Sequence, residues 1–353
     1  MEALLYNRSR LRIAIDARKI GDYGIGTYAE GLLRGLAESE GPEEFIVFVA
    51  SRFRDRVPAR FETVLTDVPN YSIREQFTIA RLIDRSRADL FHSLHFVLPL
   101  TDVPSVVTVH DVIPLHFRYR NPIARLYYGT MLRRGVARSR RVCTVSESAK
   151  RDIIAATGCD ARKVVVTPNG IDPKFFQPHE PDRSRGRYFL YVGNDKPHKN
   201  VDVLLAAFDE VRRRDASLNL TLAGATFERF RGRAGVNHAG FVADTEMASL
   251  YRGAIALVMP SLEEGFGLPA AEAMAAGTAV ITSEAPALVE VTADAALHVD
   301  ARSPSALAEA MLSVANDDAL RARLIAAGAQ RARHFTWARC AAATREVYRQ
   351  VLA

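Results

Sequence analysis

The segment over residues 259–277 carries the side chains best suited to chemistry. Its carboxylates include Glu264 and Glu272, which have seven residues between them, and two glycines, Gly265 and Gly267, lie just ahead of a predicted short helix. Backbone N–H groups at such a helix start, together with the helix dipole, form an anion site that suits a diphosphate. The carboxylates can accept hydrogen bonds from sugar or ribose hydroxyls. The alternative is that Glu264 is a solvated loop residue and that Glu272 only complements the helix N-terminus.

Two features of the first half could also reach a ligand. His110 ends an apolar run, so we expect it at a strand end that faces a cleft, although a lone histidine is more often structural. A turn at Gly24-Ile25-Gly26 follows the first predicted strand. Its glycines would allow positive φ and a close approach of the backbone to a diphosphate.

The elements that must position these residues alternate between short β-branched runs and helical stretches, which predicts parallel sheets covered on both faces. At 353 residues the chain is long enough for two domains. Ligands of open parallel sheets bind beyond the carboxyl ends of the strands, so two facing sheets would share one interdomain cleft. The predicted strands are Ile13–Asp16, Phe45–Ala50, Leu90–His92, Val106–His110, Val142–Val145, Val164–Thr167, Tyr188–Val192, Leu218–Ala223, Ile255–Met259, Ala279–Thr282 and Ala296–Val299.

The stretch Gln177–Arg187 is polar and contains two prolines and a glycine, which is typical of a linker. We therefore predict an N-terminal domain over residues 1–180 and a C-terminal domain over residues 188–335. A terminal helix over residues 336–353 is expected to pack back on the N-terminal domain.

Composition excludes several classes of protein. With 48% hydrophobic and 25% charged residues, the chain is not a long disordered, collagen-like or disulfide-scaffold protein. Its three cysteines include no CxxC pair, which argues for a reducing compartment and against a zinc site. No apolar run precedes the first predicted strand, and the sequence contains no run of about 18 apolar residues. We therefore expect neither a secretory signal nor a membrane span, and we expect a cytoplasmic location. A net charge of +6 permits contact with nucleic acid or anionic lipid without requiring either.

The sequence EGFGLPAAEAMAAG, residues 264–277, resembles the signature of retaining glycosyltransferase family 4, whose enzymes have the GT-B fold. Other segments match the family in the right order, so the resemblance covers nearly the whole chain. It implies an α/β fold of two Rossmann-like domains that face each other across a cleft, with the acceptor on the first and the donor on the second. The further matching segments are Gly24–Tyr28, Val109–Asp111, Thr144–Ser148, Thr167–Asp172, Tyr188–Gly193, Lys199-Asn200, Val280–Ser283 and Leu288–Val291.

Matching positions imply roles in the site. Glu264 would contact the donor sugar, Glu272 would hold the ribose hydroxyls, and Lys199 would neutralise the leaving phosphate. His110 would contact the donor sugar or a polar group near the reacting centre. The backbone amides of Phe266, Gly267 and Leu268 would receive the diphosphate, and Gly240, Phe241 and Val242 would border the base. The other residues implied to bind the donor are Gly24, Ile25, Gly26, Gly193 and Gly265.

The implied reaction moves a hexose from a nucleotide-diphosphate sugar to a glycan or lipid-linked acceptor, with mannose from GDP-mannose favoured, in bacterial surface polysaccharide synthesis. The donor is a co-substrate, so neither a cofactor nor a metal is implied. One departure from the family pattern concerns the second phosphate-binding cation. Near the lysine, where relatives often carry an arginine, this sequence has Asn194 and His198, and Lys196 is the remaining candidate.

Alternatives stay open at this point. The segment Asn121–Val142 combines apolar residues with six arginines, which suits peripheral contact with an anionic membrane at its inner face or a core helix with a solvated side. Other possible functions are a nucleotide-sugar epimerase of related fold, a catalytically silent nucleotide-sugar binder, and a nucleic-acid-binding protein. No zinc, RNP or helix-turn-helix signature supports the last of these, so no nucleic-acid partner is expected.

Overall fold

The computed structural model describes residues 11–117, 122–182, 184–224 and 227–353, and these residues form two α/β units. The first unit comprises the chain up to Gly170 together with Trp337–Ala353, and the second comprises Ile171–Thr336. Each unit contains one sheet in which the described strands are parallel. The predicted α/β class with two parallel-sheet domains is thus confirmed.

The sheet of the first unit has seven described strands in the order β3-β2-β1-β4-β5-β6-β7, numbered along the chain. They are β1 (Arg12–Asp16), β2 (Glu44–Val49), β3 (Glu62–Leu65), β4 (Leu90–Ser93), β5 (Ser105–Thr108), β6 (Arg141–Thr144) and β7 (Val164–Val166). The helices before residue 170 are α1 (Tyr23–Glu38), α2 (Ile73–Ser86), α3 (Ile113–His116), α4 (Pro122–Arg138) and α5 (Glu147–Thr157). The strand order changes direction between β1 and β4, where open α/β sheets commonly bind ligands.

The sheet of the second unit has six described strands in the order β10-β9-β8-β11-β12-β13. They are β8 (Tyr188–Val192), β9 (Asn219–Ala223), β10 (Val236–Gly240), β11 (Ala256–Met259), β12 (Ala279–Ser283) and β13 (Leu297–Val299). The helices are α6 (Val201–Arg214), α7 (Asp244–Gly253), α8 (Leu268–Ala275), α9 (Pro286–Thr292), α10 (Pro304–Asn316) and α11 (Asp318–Ala332). Buried aliphatic and aromatic side chains of β8, β9, β11 and α6 form the core of this unit.

The terminal helix α12 (Trp337–Leu352) packs against α1 in the first unit. Close approach is possible because α1 presents Gly31 and Gly35 at the contact, where an added Cβ would collide with the side chain or the carbonyl of Trp337. Arg345 on this helix forms a buried ion pair with Glu43 and donates a hydrogen bond to the carbonyl of Leu36 at 3.1 Å. The helix is therefore held by both shape and charge.

The boundary between the units differs from the predicted linker. The second unit begins at Ile171, so Gln177–Arg187 lies inside it, and of these residues Arg183 lies outside the described part of the chain. Two contacts explain the earlier boundary. The ring of Phe175 packs edge-on against Tyr251 with centroids 5.7 Å apart, and the backbone N–H of Asp182 donates to the carbonyl of Ser249 at 3.1 Å.

The predicted helix Asn121–Val142 is shorter in the structure. Helix α4 ends at Arg138, and the chain enters strand β6 at Arg141, while Asn121 lies outside the described residues. Within the part of the chain that the structure describes, no helix combines the length and the apolar character needed to cross a membrane.

Candidate functional site

Lys199 and Glu264 come together in the second unit. Lys199 ends a short 3₁₀ turn after β8, and Glu264 lies in the loop between β11 and α8. The Nζ atom of Lys199 lies 2.6 Å from Oε1 of Glu264, and the two side chains are only 18% and 8% exposed. Solvent screens an ion pair at such a position less than one on the open surface. The loop therefore presents one cation and one carboxylate in direct contact.

Asn200 fastens the turn that carries Lys199. Its backbone has φ +57°, and its side-chain amide donates to the carbonyl oxygens of Pro260 at 3.1 Å and Ala301 at 2.6 Å. The backbone N–H of Leu262 also donates to the carbonyl of His198 at 2.7 Å. These hydrogen bonds join the turn that carries Lys199 to the loop that carries Glu264, so the two loops hold the two side chains in place together.

The start of α8 has the form that an anion site needs. Gly267 precedes the helix with φ +96°, a left-handed conformation that favours glycine, and Phe266 is buried with its ring 5.3 Å from Phe335. The first N–H that bonds within the helix belongs to Ala270, which donates to Gly267. The N–H groups of residues 266–268 precede it, and such groups at a helix start have no acceptor within the helix.

Glu272 has a different partner from Glu264. It lies on α8, and its Oε2 accepts a hydrogen bond of 2.9 Å from the hydroxyl of Tyr251 on α7. Burial, together with the nearby charge of Glu272, raises the pKa of Tyr251 well above its ordinary value, so the phenol stays protonated and donates. Sequence reasoning missed Tyr251, because only the fold brings α7 beside α8.

The remaining predicted donor-binding residues of this unit lie at strand ends. Gly193 follows β8, and its N–H donates to the carbonyl of Ala223. Gly240 ends β10 with φ +64°, and the next residue, Phe241, is 86% exposed, followed by the half-buried Val242. Their predicted contacts with the donor remain predictions.

Neither Asn194 nor His198, the two residues that depart from the family pattern, supplies the second phosphate-binding cation. Burial, with a further contribution from the charge of Lys199, lowers the pKa of His198 to about 4, so this imidazole is neutral near pH 7. Asn194 serves the turn itself, since its carbonyl accepts from the Tyr191 hydroxyl at 2.6 Å and its side chain accepts from the N–H of Lys196.

His110 lies in the first unit, just after β5. Its Nε2 is 3.1 Å from the carbonyl oxygen of Leu94, and because a carbonyl can only accept, Nε2 carries the proton. Burial lowers the pKa of His110 to about 4, which makes the ring neutral and leaves Nδ1 as a hydrogen-bond acceptor. A ligand group that meets Nδ1 must therefore be a donor, such as a hydroxyl.

The segment Gly24-Ile25-Gly26 is helical and does not form the predicted turn. These residues form the first turn of α1, and the glycines with positive φ in the described chain do not include Gly24 or Gly26. The helix starts earlier than predicted because the N–H of Gly26 already bonds to the carbonyl of Asp22. Gly26 is required for packing, since an added Cβ would collide with the backbone carbonyl of Ile20.

A buried charge cluster that sequence reasoning missed lies at the ends of β1 and β4. The Nη2 atom of Arg18 is 2.6 Å from a carboxylate oxygen of both Asp16 and Glu75, and these side chains are at most 2% exposed. His95 lies beside them, and its Nε2 is 3.7 Å from Glu75. Asp16, Glu75 and His95 are close enough to hold a metal ion together, but Arg18 already provides both carboxylates with a cation.

Two family models match successive parts of the chain. Residues 23–175 match the model of the family described as Glycosyltransferase Family 4, and residues 173–331 match the family described as Glycosyl transferases group 1. Together the two matches cover most of the chain.

Several curated relatives are mannosyltransferases by name. The O-antigen chain mannosyltransferase B of Escherichia coli is 27% identical over 92% of this chain and 96% of its own length. The O-antigen chain mannosyltransferase RfbU of Salmonella typhimurium is 31% identical over 62% of this chain and 63% of its own. The MMP alpha-(1->4)-mannosyltransferase of Mycolicibacterium hassiacum is 35% identical over 53% of this chain, which spans half of that relative.

Solved structures share the fold across nearly the whole chain. Sucrose-phosphate synthase from Thermosynechococcus elongatus superposes with a TM-score of 0.79 at 20% identity, covering 97% of this chain and 99% of that one. HepE from Anabaena, solved in complex with UDP-glucose, gives a TM-score of 0.76 at 16% identity over 97% of this chain and all of the other.

Proposed function

The chain belongs to the GT-B glycosyltransferases, and from this premise we propose that it transfers mannose from GDP-mannose to a hydroxyl of a glycan or lipid-linked acceptor, with retention at the anomeric carbon. The choice of mannose is supported by relatives whose names describe mannosyltransferases of O-antigen chains. A role in surface polysaccharide synthesis follows from the same names.

The observation that carries the proposal is the contact of Lys199 with Glu264 beside the start of α8. The N–H groups of residues 266–268 receive the donor diphosphate, and Lys199 neutralises the charge that develops on it as it leaves. Glu264 accepts hydrogen bonds from the donor sugar, and Glu272, oriented by Tyr251, accepts them from the ribose.

The bond changes balance without any further reactant. The acceptor oxygen forms a bond to the anomeric carbon while the bond from that carbon to the diphosphate oxygen breaks. The departing diphosphate takes up the proton of the acceptor hydroxyl on the same face of the sugar, so the configuration is retained. The neutral His110, with Nδ1 as an acceptor, suits a hydroxyl of the donor sugar rather than the role of nucleophile.

A thermal-shift panel of nucleotides and nucleotide sugars, followed by transfer assays, tests the proposal. GDP and GDP-mannose should raise the melting temperature more than their uridine counterparts, and GDP-mannose should support transfer with release of GDP. Stabilisation by uridine nucleotides alone would overturn the donor assignment. Tight binding without transfer or hydrolysis of the donor would indicate a protein that binds nucleotide sugars without catalysis.

We also propose peripheral contact with an anionic membrane at its inner, cytoplasmic face. The exposed side of the first turns of α4 supports this, because Ile123 and Leu126 are 74% and 71% exposed and Arg125 lies between them. Sedimentation with vesicles that contain anionic lipid tests it. An Ile123→Ser, Leu126→Ser double variant should remain in the supernatant, and equal sedimentation of both proteins would contradict the contact.

A further inference from the structure

We propose that a buried network of four side chains holds the His110 ring in the orientation needed for its function and that helix α12 anchors this network. The inference rests on the proposed function in one respect, since it takes His110 to act on the substrate. It assigns positioning roles to residues that do not touch the substrate themselves. These residues are Tyr28 on α1, His92 on β4, Thr108 on β5 and Tyr348 on α12.

The network is continuous from helix α12 to His110. The hydroxyl of Tyr348 lies 2.7 Å from Nδ1 of His92, and Nε2 of His92 lies 2.8 Å from Oγ1 of Thr108. Oγ1 of Thr108 lies 3.3 Å from the hydroxyl of Tyr28. The ring of Tyr28 then packs edge-on against His110, with centroids 4.8 Å apart.

The four linking side chains form a neutral and dry network. Each is at most 1% exposed, and burial lowers the pKa of His92 to about 3, so its imidazole is uncharged. A neutral imidazole has one donor and one acceptor nitrogen, and both nitrogens of His92 have a hydroxyl partner. Buried polar networks whose members are satisfied make the surrounding structure rigid.

The His110 ring is held from two sides. The carbonyl of Leu94 accepts from Nε2 on one side and fixes the tautomer, while the edge-on contact with Tyr28 limits rotation of the ring. The hydroxyl of Tyr28 is bonded to Oγ1 of Thr108, two residues before His110, and this bond fixes the Tyr28 ring relative to His110. The direction of Nδ1 thus depends on a bond network that ends at residue 348.

The variant Tyr348→Phe breaks the network at its far end without changing its volume. We expect turnover to fall by about tenfold, because misplacement of a substrate-contacting group by a fraction of an ångström is costly. Affinity for GDP should stay unchanged. Thr344→Val is the matched control, since it removes a buried hydroxyl from the same helix whose bond, to the carbonyl of Cys340, stays within the helix. Equal turnover in the two variants would overturn the proposal.

A second readout does not depend on activity. The ¹⁵N shifts of the histidine rings report the hydrogen bonds of the ring nitrogens. We expect those of His110 to change in Tyr348→Phe and in Thr108→Val, where the ring can turn away from the Leu94 carbonyl, but not in Thr344→Val. Unchanged His110 shifts in the first two variants would overturn the inference whatever the turnover. If instead His110→Ala keeps full turnover while the shifts respond as expected, the network positions His110 but the catalytic role proposed for it fails.

Discussion

Lys199 and Glu264 neutralise each other in the absence of donor, so a diphosphate that binds Lys199 must compete with a carboxylate 2.6 Å away. Part of the attraction between lysine and phosphate is therefore offset by loss of the existing pair. The same arrangement gives Glu264 two roles that can be separated by mutation, one toward the lysine and one toward the sugar.

The variant Glu264→Gln should abolish detectable transfer while GDP binds as tightly as before or more tightly, because Lys199 is freed and a neutral amide replaces the charged carboxylate that accepts from the sugar. Calorimetry with GDP and a transfer assay measure the two effects separately. Glu228→Gln, which removes an exposed ion pair to Arg231 in the same unit, is the control and should change neither. Turnover near that of the unaltered protein would remove Glu264 from the mechanism.

The variant Lys199→Ala should weaken GDP binding and slow transfer by about 2 to 4 kcal/mol, the range for a charged donor to a desolvated phosphate oxygen. Lys196→Ala is the matched control, since Lys196 is an exposed lysine three residues earlier. Titration calorimetry and steady-state kinetics measure both. A loss under about 0.5 kcal/mol for Lys199→Ala, with a larger one for Lys196→Ala, would transfer the role to Lys196.

At this scale the sequence identifies residues whose type and local spacing suit the chemistry, such as Glu264 and Glu272 around a helix start. It does not identify partners that are distant in sequence. Tyr251 meets Glu272 only because α7 and α8 pack together, and Tyr348 meets His92 across 256 residues. Nor can the sequence show that His198 is neutral, because its neutrality follows from burial in the folded unit.

Helix α8 depends on the backbone conformation of the residue before it. Gly267 has φ +96°, and an added Cβ would collide with the Leu288 side chain.

The alternation of strands and helices can be predicted from the sequence because parallel strands are apolar along their length. The edge strands β3 and β10 were missed, since β3 is largely exposed and the sequence Val-Asn-His-Ala-Gly of β10 has few residues with high β propensity.

The variant Gly267→Ala should weaken GDP binding, because relief of strain at this residue turns the N–H groups at the helix start away from the phosphates. The left-handed conformation costs an alanine about 1 to 2 kcal/mol. Gly158→Ala is the control, with φ +70° at the end of α5 and no atom near the added Cβ. Both variants should lose stability in urea unfolding, and only Gly267→Ala should lose GDP affinity. Equal affinities would mean that the helix start does not hold the phosphates.

At the scale of the whole molecule, buried neutral histidines make folding sensitive to acid. Burial lowers the pKa of His92 to about 3 and those of His95, His110 and His198 to about 4, against about 6.5 in an unfolded chain. As the pH falls below 6.5, the unfolded state binds protons that the folded state excludes. Stability is thus full above pH 6.5 and is lost as the pH falls toward 4.

Urea unfolding between pH 7 and pH 4.5 should therefore show a steep loss of stability, of up to about 1.4 kcal/mol per pH unit for each histidine. His95→Gln should reduce the slope by about one proton relative to the unaltered protein. An unchanged slope in this variant would show that His95 takes up its proton as readily in the folded state as in the unfolded state.

The placement of α12 in the first unit has a consequence for biosynthesis. The ribosome completes the second unit, Ile171–Thr336, before it makes Trp337–Leu352, whereas the first unit lacks α12 until then. Helix α1, among the first elements to leave the ribosome, therefore waits the longest for its final partner. Until α12 is made, Gly31 and Gly35 are uncovered and Glu43 lacks Arg345. Domains usually fold in the order of their synthesis, but in this protein the later unit has all of its residues first.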